Sequence, residues 1–297
     1  MTKPIRKAVL PVAGLGTRVL PAAKTVAKEL LNVFDRPIIA YAIAEARAAG
    51  IEHFVIVTGR GKQALEDYFD HNLELENQLK AKGRTAELEA LIGELPRPGE
   101  MSFVRQMAPL GLGHAVWCAR DIIGDEPFAV ILPDMLMDGE PPALAQAISA
   151  HGAVGGNIVT VEPVPAGQAH KYGIVALGEP AAGFDGRLAA MTGMVEKPAA
   201  GTEPSNLYIS GRYILQPEIF EFLGEHKTGA GGEIQLTDAL AALMGRQSFH
   251  ALQYQGTTYD CGDKVGLLKA NLAMALKHPA LGDAARAAAK AALGEAR

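Results

Sequence analysis

The stretch Lys7-Ala-Val-Leu-Pro-Val-Ala-Gly-Leu-Gly-Thr-Arg18 runs from an apolar segment straight into a glycine-rich turn that ends on an arginine. Lys7 to Ala13 reads as a first strand. A strand that hands over to Gly14 and Gly16 opens an α/β sheet at the end where such sheets bind ligands. The two glycines let backbone N–H groups approach an anion, and the Arg18 guanidinium can grip phosphate through two parallel hydrogen bonds. A dinucleotide fingerprint would need a third glycine where Val19 stands, and Pro21 follows at once, so the turn does not read as an NAD site.

Outward from this strand the βα alternation continues. Pro37 to Ala49 reads as a helix stopped by Gly50, Phe54 to Thr58 as strand and Lys62 to Phe69 as helix. Ser102 to Gln106 and Phe128 to Leu132 read as strands, with helices expected at Gly113 to Ile123 and Pro141 to His151. The polar helical pattern from Asp70 to Gly93 interrupts the series and predicts a helical insertion over residues 70–100, most simply a solvated hairpin. Strands at Asn157 to Glu162, Gly173 to Leu177, Leu188 to Glu196 and Leu207 to Leu215 follow with few helices between them, which predicts an antiparallel or mixed extension of the same sheet. Helices return at Pro217 to Leu223, Ile234 to Met244 and Lys264 to His278. The expected class is α/β, with a mixed, mostly parallel central sheet flanked by helices over residues 1–278. An Ala-rich segment of high helix propensity occupies 279–297.

The chain has 297 residues, 48% hydrophobic and 21% charged, which is the composition of a globular protein with a sizeable core. Its 28 Lys+Arg against 33 Asp+Glu give a net charge of −5, which argues against general nucleic-acid or acidic-membrane binding, so an anionic ligand must be held by local cations. Cys118 and Cys261 are the only cysteines, two thiols in a chain this long give no disulfide framework, and a reducing compartment, the cytoplasm, is expected. No apolar run reaches the length of a membrane span.

Those cations sit near the opening turn. Lys24, Lys28 and Glu29 lie on the same loop as Arg18, so three positive side chains crowd the end of the first strand and point to a polyphosphate site. Asp134, in Ile131-Leu132-Pro133-Asp134, stands just past an apolar strand, as a helix cap or a Mg²⁺ ligand. Val195-Glu196-Lys197-Pro198 places an acid and a base at the end of a later strand. No nucleophile elbow, Walker motif, H-E-x-x-H or Cys/His ligand spacing is present. Both cysteines read as structural and Trp117 as core.

Taken in order, Gly14-Leu-Gly-Thr-Arg18, Lys28-Glu29, Gln106 with Gly111-Leu-Gly-His-Ala115, Leu132-Pro-Asp134, Glu196-Lys-Pro198 and Asp260-Cys-Gly262 resemble the nucleotide-sugar pyrophosphorylases. Further agreement comes at Pro204-Ser-Asn-Leu207, Ser210-Gly-Arg-Tyr213 and Gly231-Gly-Glu-Ile-Gln-Leu-Thr-Asp238, and the match runs from about Arg6 to His278. Gly-Leu-Gly-His-Ala and the helical insertion resemble the uridylyl-transferring branch more than the thymidylyl-transferring one.

The resemblance implies a Rossmann-like, glycosyltransferase-A-type fold that joins UTP and glucose 1-phosphate into UDP-glucose and pyrophosphate with Mg²⁺. Residues 157–215 would be the sugar-binding part of the sheet. Ala13, Gly14, Gln106 and Gly111 would read the uracil, with Gly16 and Thr17 completing the nucleotide loop. Arg18 and Lys28 would hold the leaving pyrophosphate, Gly173 and Glu196 the glucose hydroxyls, and Lys197 the sugar phosphate. Asp134 and Asp260 would ligate the metal. Relatives in the family assemble as homodimers or homotetramers, which sets the expectation here. Ala27 and Asn32 stand where relatives carry prolines. The alternatives are a thymidylyltransferase or broad pyrimidine enzyme, and a non-catalytic nucleotide-binding regulator.

Overall fold

The computed structural model describes residues 3–165 and 167–294, so the last three positions of the Ala-rich segment lie outside the described residues. β1 (Lys7–Pro11) leads into the glycine loop and three 3-10 turns. A small hairpin of β2 (Asn32–Val33) and β3 (Arg36–Pro37) follows, then α1 (Ile38–Ala48), β4 (His53–Thr58) and α2 (Gln63–Tyr68). The 70–100 segment contains α3 (Leu73–Ala81) and α4 (Thr85–Gly93), of which only Leu79 is buried. β5 (Met101–Arg105) precedes α5 (Leu112–Trp117) and α6 (Arg120–Ile123). The helix expected over Gly113 to Ile123 is thus two: the Ala119 N–H reaches back only to the Val116 carbonyl, a tightened turn that breaks the α ladder.

β6 (Phe128–Ile131), β7 (Met135–Asp138) and α7 (Ala143–Val154) complete the first half. The second half holds β8 (Asn157–Pro163), β9 (Gly173–Pro180), β10 (Leu188–Glu196) and β11 (Leu207–Leu215). After them come α8 (Ile219–Gly224), α9 (Leu236–Leu243), β12 (Phe249–Gln253), β13 (Thr257–Asp260), α10 (Lys264–Lys277) and α11 (Gly282–Ala292).

Nine strands form one sheet in the order β5-β4-β1-β6-β11-β8-β12-β10-β9. The pairs β5–β4, β4–β1, β1–β6 and β8–β12 are parallel, and β6–β11, β11–β8, β12–β10 and β10–β9 antiparallel. The sheet is therefore mixed, with four parallel pairings and, counting the further pairing of β11 with β9, five antiparallel ones; a mostly parallel arrangement describes only the first four strands. Parallel neighbours need a long crossover, and the short link between β9 and β10 permits only an antiparallel return.

Alternate side chains of each strand enter opposite cores. Val9, Val55, Val57 and Val130 pack with α5, α8 and α9 on one face. Leu10, Ile56 and Ile131 pack with α1 and α7 on the other. Within that second layer Arg212 of β11 is fully buried, 2.7 Å from Glu45 of α1. Its guanidinium also donates to the carbonyls of Leu132 (3.0 Å) and Met135 (2.9 Å), so it braces the loop that carries Asp134 from behind. Among the described residues no helix is long and apolar enough to cross a membrane.

Candidate active site

A cavity of about 440 Å³ opens at the carboxyl ends of β1 and β6, lined among others by Ala13, Gly14, Thr17, Lys28, Gln106, Gly111 and Asp134. Most of the residues expected at a nucleotide site are therefore gathered around one space. Gly16 shapes it indirectly. Its left-handed backbone (φ 67°) folds the loop back on itself, and a Cβ there would meet the Lys28 Cβ at 3.2 Å, so the glycine is what lets Lys28 return over the turn. Lys24, read with the same cations, is exposed and is not part of the lining.

Charge is concentrated at one lip. Lys28 Nζ donates to Asp134 Oδ2 at 2.5 Å, and Arg18 reaches Asp260 Oδ2 at 2.9 Å and Asp134 Oδ2 at 3.8 Å. Burial opposes the Asp134 charge, but Lys28 and then Arg18 outweigh it and hold the carboxyl below its ordinary value. Burial likewise opposes the charge on Lys28, and Asp134 followed by Glu29 keeps it firmly protonated. The two aspartates, far apart in sequence, meet because β13 pairs antiparallel with β7 and sets Asp260 opposite Met135, while the Cys261 N–H donates to the Asp134 carbonyl at 2.7 Å.

Behind Lys28 stands a layer the sequence did not announce. Glu29 is 1% exposed, and Lys62 donates to its Oε2 at 2.9 Å and also to the Val12 carbonyl. Burial raises the Glu29 pKa against the pull of Lys62 and Lys28. Its Oε1 accepts no hydrogen bond from the described residues and lies 4.0 Å from Lys28 Nζ. Lys62 thus ties the strand end to the lysine loop, and its neighbourhood in sequence carries no signal of that role.

Gly173, Glu196 and Lys197 form a second cluster outside the cavity lining. β9 pairs Gly173 with Glu196, and a Cβ on Gly173 would sit 3.0 Å from Glu196 Oε2. Thr237 Oγ1 donates to that same oxygen at 2.9 Å, and Lys197 Nζ is 3.8 Å from Oε1. Lys197 adopts φ 48°, and its N–H donates to the Tyr172 carbonyl at 3.0 Å. Burial, and after it the charge of Asp260, raises the pKa of the Tyr172 phenol, which sets this tyrosine between the two clusters. Thr237 and Glu233, which lines the cavity, belong to the Gly231–Asp238 stretch; Tyr172 had no signal beyond its place beside Gly173.

Gly111 is where the cavity wall is least tolerant. Its φ is 106°, and an added Cβ would lie 2.8 Å from both the Glu233 Cβ and the Ile234 carbonyl oxygen. Gly111→Ala is expected to lower unfolding free energy by at least about 2 kcal/mol, from backbone strain plus the backbone clash. Urea unfolding checks this, and unchanged stability would show that the 231–238 segment yields freely.

The cysteines are free, and burial raises both thiol pKa values, Cys261 to about 12, so neither is a poised nucleophile. Trp117 is half-buried and packs against the core on the α5 face of the sheet, with the Arg120 guanidinium 3.7 Å over its ring. Among the described residues no group of three or more His, Cys, Asp or Glu side chains could hold a metal by itself.

A sheet with a glycine loop at its first strand end, cations on that loop and two aspartates opposite has the make-up of a polyphosphate-binding α/β protein. The sequence pattern of the nucleotidyl transferase family matches residues 7–276, and the chain belongs to that family. It is 46% identical over 269 residues to the UTP–glucose-1-phosphate uridylyltransferase of Komagataeibacter xylinus, covering 91% of this chain and 93% of that one. It is 46% identical over 281 residues to the enzyme of the same name from Bacillus subtilis (strain 168), covering 95% and 94%. The structure of a UTP-bound UGPase from Acinetobacter baumannii aligns with a TM-score of 0.87 at 43% identity, covering 96% of this chain and 98% of that one.

Proposed function

We propose that this chain makes UDP-glucose and pyrophosphate from UTP and glucose 1-phosphate. The observation that carries the reading is the lip where Arg18, Lys28, Asp134 and Asp260 converge beside a cavity of nucleotide size. The names and the length coverage of its relatives support the particular substrates. The parallel strands β5-β4-β1-β6, with the cavity at their carboxyl ends, support a Rossmann-like, glycosyltransferase-A-type nucleotide half, and residues 157–215 a sugar half of the same sheet.

In this reading a phosphate oxygen of glucose 1-phosphate attacks the α-phosphorus of UTP in line, and the bond to the pyrophosphate oxygen breaks. The nucleophile is already anionic, so no general base is needed, and positioning and charge neutralisation supply the rate. Gly14 and Thr17 approach the triphosphate with Gly16 holding the loop, and Ala13, Gln106 and Gly111 enclose the base. Arg18 and Lys28 offset the charge that builds on the leaving pyrophosphate. Lys197 holds the sugar phosphate, and Glu196 beside Gly173 accepts from the sugar hydroxyls. Asp134 and Asp260 fit Mg²⁺, which commonly takes one or two carboxylates and completes its shell with phosphate oxygens and water. When bound, the ion supplies further neutralisation of the triphosphate.

Purified protein with Mg²⁺ should release pyrophosphate from UTP only when glucose 1-phosphate is present, and should run in reverse with UDP-glucose and pyrophosphate. Equal or better turnover with dTTP would move the reading to a thymidylyl or broad pyrimidine enzyme, because one methyl group is worth only about 10- to 200-fold. Absence of turnover with binding retained would leave a regulator.

Self-association as a homodimer or homotetramer belongs to the same proposal. Val265, Leu268 and Leu272 leave one face of α10 62%, 59% and 47% exposed, an apolar stripe at helical spacing. Sedimentation should give a dimer or tetramer that Leu268→Glu shifts towards monomer, and a monomeric wild type would refute it. The two free thiols suit a cytoplasmic location.

A further inference from the structure

We propose that His114, together with the Gly111 carbonyl, holds the hydrogen-bonding polarity of Gln106, so that the base pocket reads an imide N–H, the edge group that uracil and thymine carry and cytosine lacks. This rests on the reading of the cavity as a pyrimidine-nucleotide site. His114 is not part of the cavity lining, so it is a positioning residue.

Gln106 directly follows β5, is 6% exposed, and its backbone N–H donates to the Thr58 carbonyl at 2.8 Å. Its Nε2 lies 3.0 Å from the Gly111 carbonyl oxygen and 3.0 Å from His114 Nδ1. A carbonyl oxygen can only accept, so the amide end that faces Gly111 must be the NH₂ group. Its second hydrogen is then satisfied only if His114 Nδ1 offers a lone pair, with the imidazole neutral and its proton on Nε2. Burial, and after it the neighbouring His226, lowers the His114 pKa and favours the neutral ring, and the Gln106 contact then selects the Nε2 proton. Cys118 Sγ lies 3.8 Å from the same Nδ1, well beyond the 3.0 Å of the Gln106 contact, so the single Nδ1 lone pair goes to Gln106. The ring itself is held between Trp117 at 5.8 Å and the edge contact with His226 at 5.7 Å.

With both amide hydrogens in use, no donor among the described residues reaches Gln106 Oε1, and this acceptor is what remains for the ligand. A glutamine free to turn could present either end, as its inventory of donors and acceptors suggests. Here a half-turn would set Oε1 against the Gly111 oxygen and the His114 lone pair, with no proton between any of them. Uracil and thymine bring an N–H at ring position 3, whereas cytosine brings a lone pair, which Oε1 repels. Removing the acceptor at position 114 would leave one N–H of Gln106 unsatisfied and, of these two contacts, only the Gly111 carbonyl to hold Oε1 towards the ligand, so the preference for an imide N–H would weaken.

The test is kcat/KM for UTP and for CTP, with glucose 1-phosphate, in the wild type and in His114→Leu and His114→Asn. Leu removes the acceptor, while the Asn carbonyl can take the place of Nδ1. The UTP-over-CTP ratio should fall about tenfold in His114→Leu, the worth of one hydrogen bond, through a higher KM for UTP with kcat within about threefold. His114→Asn should restore most of the ratio. An unchanged ratio in a folded His114→Leu, or an Asn variant as unselective as the Leu variant, would overturn the proposal; if Leu does not fold, His114→Met takes its place. A wild type inactive with UTP would instead overturn the functional reading, and calorimetric UTP and CTP binding in the same variants would still decide the role of His114.

Discussion

Asp134→Asn is expected to fold and to lose about 10² to 10³ in kcat. Asparagine keeps the shape and removes the charge, so a residue that only ended a strand or capped a turn would tolerate it, since Asn caps as well as Asp. At this lip the charge is what matters. Lys28 Nζ lies 2.5 Å from Asp134 Oδ2 and Arg18 3.8 Å away, and the proposed metal would draw on the same carboxylate. The variant should also need more Mg²⁺ for half-maximal activity, and Mn²⁺ titration of the UTP complex should show weakened binding without any turnover being measured. Stability should fall modestly, because Lys28 keeps a second carboxylate, Glu29, at 4.0 Å. The pH dependence has a definite sign. The folded-state pKa is lowered, so the stability that Asp134 contributes is complete above about pH 4, near the unfolded value, and is lost as pH falls through the folded value. The gap between wild type and Asp134→Asn should close on acidification. Near wild-type turnover with an unchanged metal titration would remove Asp134 from the reaction.

Arg18→Ala should be as damaging to turnover and nearly silent in stability. Its side chain is 57% exposed, and ion pairs at that exposure contribute little, within about 1 kcal/mol. Yet its guanidinium touches both aspartates, at 2.9 Å and 3.8 Å, where the triphosphate would lie. A contact that strengthens as charge builds on pyrophosphate lowers kcat when removed, by about 10² to 10³, and leaves UTP affinity less affected. Arg18→Lys should recover only part of the loss, because the ammonium keeps the charge but not the planar fork. Thermal unfolding and steady-state kinetics separate the outcomes. If KM rose while kcat held, Arg18 would be a ground-state binding residue.

Much of this protein was readable along the chain. The apolar run into Gly14 and Gly16, the βα alternation through Pro141, and the strand ends at Asp134 and Glu196 are local signals, carried by periodicity of 2 or 3.6 and by turn residues. The ordered motifs from Arg18 to Asp260 identified the family without any knowledge of contacts. What local signals could not supply was the partner of each polar side chain. Asp134, Asp260 and Asp263 look alike as acids beside turns; Asp263 caps α10 through the N–H groups of Val265 and Gly266, whereas Asp260 turns to Arg18. That division depends on β7 and β13, four residues each and too short to show a period, which meet across more than a hundred positions. The same holds for β12, which slots between β8 and β10, for Lys62 beneath the lysine loop, and for His114 against Gln106. Which chemical groups are present, and on which strand ends they stand, can be read along the chain. Which of them face one another depends on the folded packing, because strands as short as β7 and β13 carry too little pattern to name a partner more than a hundred positions away.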